Sequence, residues 1–244
     1  MDLRRQDYES TYSIGSGAYG MVKAGYMRQT GEQIVVKEGA VKYLEKEYHI
    51  MQQLVDVPHI VQLKGRCLLS QAPDPRLSLM HIVMERAQRS LDSLLKEAPY
   101  RRGLAPVDLI QLISHLGRGF NELVTRKIAH RDIKPQNILV FGSGADPPHS
   151  KFTFKLCDFG FSRLAEEGEE LHTIAGTPAE RCDLWSIGAT IYNSATASMA
   201  FPVYKDVKDN VELFGKRPKG TICAMANRAR GFQYYTQIRN DSYP

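Results

Sequence analysis

Little in this 244-residue chain suits an exported or membrane-spanning protein. Its four cysteines, Cys67, Cys157, Cys182 and Cys223, stand far apart and never in the C-x-x-C spacing of a zinc site or redox motif, so reduced thiols in a cytoplasmic protein are expected. The opening MDLRRQDYES lacks the apolar run of a signal peptide, and no stretch approaches the ~20 apolar residues that cross a bilayer, so no membrane insertion is expected. Strong charge of one sign is also missing: the net charge is +5. The tail beyond Lys205 is locally basic, with Lys216, Arg217, Lys219, Arg228 and Arg230, but no nucleic-acid fold motif accompanies it. That basic stretch therefore reads as solvated surface, with no nucleic-acid partner. Repeats and low-complexity tracts are absent as well. With 43% hydrophobic and 24% charged residues, the chain has enough apolar material for one large domain or two packed lobes.

From Tyr12 to Gly39, short β-type runs alternate with glycine: YSI, GSGAYG, MVKAGYM, a turn at RQTGEQ, then IVVKEG. The spacing of Val41, Leu44, Tyr48, Met51 and Val55 predicts a helix over Ala40 to Val55. VQLKGRCLL and LSLMHIVME read as two further strands joined by the turn-rich QAPDPR. Beyond Ala87 the pattern turns helical, most clearly in SLDSLLKEA and VDLIQLISHLGRGFNELVTRK, and KFTFKLCDFGFSR alternates like a strand. These patterns predict an α+β protein of two lobes, with a boundary near Arg86 to Gln88: an N-terminal extension over 1–11, a small β-rich lobe with one helix over 12–87, and a mainly helical lobe over 88–244.

Gly15, Gly17 and Gly20 form a G-x-G-x-x-G that is weak by itself. A dinucleotide loop would open into a helix, whereas here MVKAGYM continues as strand. A flap between two strands, letting backbone N–H groups approach phosphate oxygens, fits better. Lys37 ends the apolar strand IVV, where its ammonium could meet phosphate. On a helical wheel Glu47 falls at the edge of the apolar stripe while Glu45 points farther away, so Glu47 is the candidate partner of Lys37. An isolated Lys–Glu pair is more often a surface contact worth under ~1 kcal/mol. HRDIKPQN, His130 to Asn137, followed by Asp158-Phe159-Gly160, changes that balance. Phosphoryl transfer needs a carboxylate near the incoming oxygen, a cation against the migrating group and oxygen ligands for Mg²⁺, and Asp132, Lys134, Asn137 and Asp158 supply them.

Together these motifs resemble the protein kinase family over nearly the whole chain, and the DIKPQN spelling resembles its serine/threonine branch. The resemblance implies a two-lobed fold that uses ATP and Mg²⁺. It makes Ile14, Gly15, Ser16, Gly17, Ala18, Tyr19, Gly20, Met21 and Val22 the phosphate flap and its borders, and Lys37 the strand lysine with Glu47 its helix partner. Met84 would stand at the gate of the adenine pocket, with Glu85 and Ala87 offering backbone hydrogen bonds to the base. Val35, where alanine is common, would tighten the pocket roof. Asp132 matches the catalytic base, Lys134 the lysine two residues on, and Asn137 and Asp158 the metal ligands. His59, Cys157 and Trp185 read as packing residues, and His130 as a structural residue beneath Phe159.

Within that family the sequence is similar to the IκB kinase-related branch, that of TANK-binding kinase and IκB kinase epsilon. The likeness lies in FGSGADPPHSKFTFK, in the acidic run Glu166, Glu167, Glu169 and Glu170, in DLWSIGATIYNSATASMAFP and in KDNVELFGKRPKGTICA. It implies protein substrates and an activating phosphorylation at Thr173, by an upstream kinase or by another copy, with Arg131 pairing the added charge. One departure stands out. Between Thr177 and Asp183 only PAERC remains, so roughly a dozen or more residues of the acceptor-binding platform are missing, and Glu180 lies too close to Asp183 to replace its glutamate. From the same resemblance the large lobe is expected to be truncated, and the ubiquitin-like and dimerisation regions of that branch are not expected within these residues. The expected function is an ATP-dependent serine/threonine kinase, the alternative a non-catalytic ATP-binding or interaction module.

Overall fold

The computed structural model describes residues 1–17, 20–69, 78–142, 152–164 and 178–198. The first half forms an antiparallel sheet in the order β1-β2-β3-β5-β4, from β1 (Tyr8–Gly17), β2 (Gly20–Met27), β3 (Gln33–Ala40), β4 (Leu63–Leu68) and β5 (Leu79–Glu85). Strand β5, interior to the sheet, reads mostly apolar because both of its faces are covered. Met80, Ile82 and Met84 join the main core, while Val83 packs with Tyr8, Ile34, Val36 and Cys67 in a smaller core on the other face. Helix α1 (Val41–Gln52) buries Leu44, Glu47, Tyr48, Ile50 and Met51. It is shorter than the sequence pattern suggests, since residues 53–56 turn away although Leu54 stays buried.

Residues 1–11, expected as an N-terminal extension, include the start of the first strand. Strand β1 begins at Tyr8, and Leu3 N–H donates to the Arg66 carbonyl at 2.7 Å beside β4. Tyr8 is fully buried in the smaller core, but its polar neighbours Glu9, Ser10 and Thr11 conceal the strand from hydrophobic patterning. The glycine flap is the tip of the β1–β2 hairpin, with Gly15 opposite Val22, Ser16 opposite Met21 and Gly17 opposite Gly20.

After β5 come β6 (Arg89–Ser90), α2 (Leu91–Leu95), α3 (Pro106–Thr125), β7 (Ile128–Ala129), β8 (Ile138–Phe141), β9 (Thr153–Leu156), β10 (Arg163–Leu164) and α4 (Pro178–Thr196). Proline at the start of α3 sits where its missing N–H costs nothing, and Leu112, Leu116, Gly119 and Leu123 form the buried stripe of that helix. This stripe lies against β9 and α4. Strands β6-β8-β9 form a small sheet, and β10 pairs with β7. Helix α4 starts one residue after Thr177, so Pro178 to Cys182 are its opening turns rather than a separate element before Asp183. Among the described residues, no helix is long and apolar enough to cross a membrane.

Candidate active site

Strand β3 delivers Lys37 and helix α1 delivers Glu47 to one buried point. The Lys37 ammonium donates to both Glu47 oxygens, at 2.8 and 2.7 Å, and to Asp158 Oδ1 at 2.9 Å. Lys37 and Glu47 expose only 8% and 2% of their side chains, so the surface-pair reading does not describe them. Burial opposes the charge on Lys37, but the carboxylates of Glu47 and Asp158 outweigh it and hold its pKa above the usual value. Burial likewise pushes Asp158 upward, and Lys37 reverses that to a net lowering. Removing Lys37 would strand the buried Glu47 carboxylate, a change that costs about 3–5 kcal/mol in buried pairs.

The loop from His130 to Asn137 is held from beneath by α4. Asp183, only 1% exposed, accepts the backbone N–H of His130 at 2.6 Å and that of Arg131 at 2.7 Å. These bonds secure Arg131 in a left-handed conformation, φ 70°, that a side-chain-bearing residue adopts only under constraint. His130 Nε2 lies 3.0 Å from the Cys157 carbonyl, and the Asp132 N–H lies 3.3 Å from His130 Nδ1. A carbonyl only accepts and an amide N–H only donates, so the proton sits on Nε2 and the ring is neutral. Burial lowers the pKa of His130 in the same sense. The Phe159 ring packs against it at 4.9 Å.

Asp132, Lys134 and Asn137 converge through hydrogen bonds. Lys134 donates to Asp132 Oδ2 at 2.8 Å, and the Asn137 amide donates to the same oxygen and to the Asp132 carbonyl, each at 2.9 Å. Cys157 N–H donates to the Asn137 carbonyl at 3.0 Å, which joins this group to Asp158 one residue on. With its amide nitrogen engaged, Asn137 keeps its side-chain oxygen for a cation, and Asp158 adds a carboxylate. This oxygen-only pair fits Mg²⁺, which takes one or two protein oxygens and completes its shell with water and phosphate.

Above this cluster, Val22 stands opposite Lys37 and Val35 opposite Met84. Ile14 and Met21 are half exposed, whereas Met84 is buried. Glu85 ends β5, and Ala87 lies in the connection to β6. Ala18, Tyr19 and Thr173 lie outside the described residues, as does the acidic run after Leu164. Sequence reasoning missed the role of Asp183 as a backbone clamp and the role of Cys157's peptide as a link. The Asp-x-Trp-Ser-x-Gly spelling marked Asp183 but carried no sign of its partners 52 and 53 residues away.

The protein kinase domain model matches residues 8–224. The chain is 32% identical over 243 residues to "Inhibitor of nuclear factor kappa-B kinase epsilon subunit homolog 1" of Caenorhabditis elegans, covering 84% of this chain and 29% of that protein. It is 29% identical to "Probable serine/threonine-protein kinase fhkB" of Dictyostelium discoideum, covering 86% and 19% of the two chains. To human "Serine/threonine-protein kinase D2" it is 28% identical, covering 82% and 24%. The chain thus spans less than a third of each of these relatives. A buried lysine shared by the carboxylates of Glu47 and Asp158, a neutral histidine under an aspartate loop and a match over most of the sequence agree: the chain belongs to the protein kinase family, and these relatives are of its serine/threonine type.

Proposed function

We propose that the chain transfers the γ-phosphoryl group of ATP to serine or threonine hydroxyls of protein substrates in cytoplasmic signalling, in the manner of the IκB kinase-related branch. The carrying observation is the Lys37 ammonium held between Glu47 and Asp158, across the Asn137–Cys157 link from Asp132. The flap from Ile14 to Val22 closes over the phosphates, Lys37 binds their oxygens, and Val35 and Met84 enclose the base beside Glu85 and Ala87. Asp132 accepts the proton of the incoming hydroxyl, and Lys134 stabilises the negative charge in transit. Mg²⁺ held by Asn137 and Asp158 would neutralise charge on the phosphates.

The similarity to the Caenorhabditis elegans protein supports the branch, and with it phosphorylation at Thr173 by an upstream kinase or a second copy. Thr173→Ala should then lower transfer and leave the loop as sensitive to protease as in the unphosphorylated protein. Unchanged activity and protease sensitivity of the phosphorylated preparation would contradict that role.

A second reading is favoured by one feature. Helix α4 begins at Pro178, directly after the Gly176-Thr177 step, so residues for a peptide platform are missing while the nucleotide residues remain. Misplacing an acceptor by ~1 Å can cost 10²-fold in rate. A transfer assay with labelled ATP and a mixed serine/threonine peptide library, run beside Asp132→Asn, separates the readings. Label above the Asp132→Asn background supports the kinase. Nucleotide binding without such label selects the non-catalytic module.

A further inference from the structure

Glu85, at the end of β5, uses its side chain away from the expected base contacts. Its carboxylate accepts the Gln62 N–H at 2.7 Å and binds the Lys155 ammonium at 2.7 and 2.9 Å. The Glu85 amide donates to the Gln62 carbonyl at 3.0 Å, so this residue is tied by backbone and side chain to the segment following α1. Gln62 is itself fastened, its side-chain amide donating to the carbonyls of Val57 and Ile60 at 3.0 and 2.9 Å. Lys155 comes from β9, opposite Leu139 on β8, and its ammonium lies 4.6 Å from the centre of the Phe141 ring. Glu85 and Lys155 each expose only 18% of their side chains, so water screens the pair weakly and both partners have defined positions.

β9 is held at neighbouring positions too. The Phe154 N–H donates to His115 Nδ1 at 3.2 Å, and the Leu156 N–H donates to the His59 carbonyl at 2.9 Å. Lys155 therefore projects from a fixed strand onto Glu85, one of the two residues whose backbones are expected to meet the base. Without Lys155 the Glu85 carboxylate would lose two charge-assisted hydrogen bonds and keep only that from the Gln62 N–H, so the connection after β5 would be held less firmly.

We propose that Lys155 is a positioning residue for the nucleotide base, acting through Glu85 to hold the connection between β5 and β6 in its base-binding conformation. This rests on the reading of the chain as an ATP-binding kinase. Lys155 is also three residues from Asp158, so a competing route exists in which it acts on the metal-binding end instead. The two routes differ in the ligand that senses them, because adenosine has a base and no phosphates.

Adenosine and MgATP are titrated calorimetrically into the full chain and into Lys155→Met, Lys155→Gln and Lys155→Arg, with thermal melts of the ligand-free proteins alongside. Lys155→Met should weaken adenosine and MgATP by the same factor, about tenfold, as for one lost hydrogen bond to the base. Lys155→Arg, which keeps charge and bidentate geometry, should recover most of it. If Lys155→Met does not fold, Lys155→Gln carries the comparison. Unchanged adenosine affinity, a loss confined to MgATP, or an arginine variant as weak as the methionine one each overturns the proposal. A parent chain that binds neither ligand overturns the kinase reading and the proposal with it, whereas normal parent binding with unaffected variants overturns the proposal alone.

Discussion

The Lys37 ammonium bonds to Glu47 and Asp158, whose carboxylates together raise its pKa against the effect of burial. Lys37→Met removes the cation proposed to bind phosphate and leaves Glu47 and Asp158 facing each other. Transfer should fall by at least about 10²-fold, measured as labelled phosphate incorporated per minute. Asp183 carries a different load. Asp183→Ala removes two charge-assisted bonds and releases the constrained backbone of Arg131, which should cost about 3 kcal/mol in urea unfolding and lower transfer as well. The pairing of Lys37 with Glu47 is legible in the sequence because helical spacing alone separates Glu47 from Glu45. In the fold, the side chain of Glu47 is 2% exposed and that of Glu45 49%. The clamp by Asp183 is not legible there, since a hydrogen bond between a helix and a distant loop leaves no periodic trace.

The β1–β2 hairpin carries the proposed phosphate flap. A Cβ on Gly20 would stand 2.1 Å from the Glu38 carbonyl, so Gly20→Ala must push β2 away from β3 beside Lys37. Overpacking of this kind costs about 1–3 kcal/mol, visible as a lower melting temperature, and nucleotide affinity should fall with it. Long elements are legible for a physical reason: α3 and β5 bury enough apolar residues to impose a pattern. Strands β6, β7 and β10 are two residues each, too short to carry one, and they exist because neighbouring chain segments supply their partners. Strand β1 falls between these cases, its buried Tyr8 hidden among polar residues.

At the scale of the molecule, acid should act through histidine. Burial lowers His59, His81, His115 and His130 from the ordinary 6.5, His115 to about 4. The unfolded chain therefore binds more protons than the folded one below about pH 6.5. The stability from these neutral rings is full above that pH and is lost as pH falls through their folded values. Glu47 and Asp183, raised by burial, oppose the trend near the carboxylate range, so the histidine effect stands clearest between about pH 7.5 and 5.5. Melting temperature should fall steadily over that interval, and a flat profile would contradict the neutral assignments.

The kinase reading and the ATP-binding module share one requirement: the cluster of Lys37, Glu47, Asn137 and Asp158 must bind nucleotide phosphates with a divalent cation. The most direct test is calorimetric titration of ATP into the chain and into Asp158→Asn, each with and without Mg²⁺. The account predicts binding between about 1 μM and 1 mM in the parent, strengthened by Mg²⁺, with that strengthening lost in Asp158→Asn. Absent binding, or a Mg²⁺ effect equal in both proteins, would contradict it.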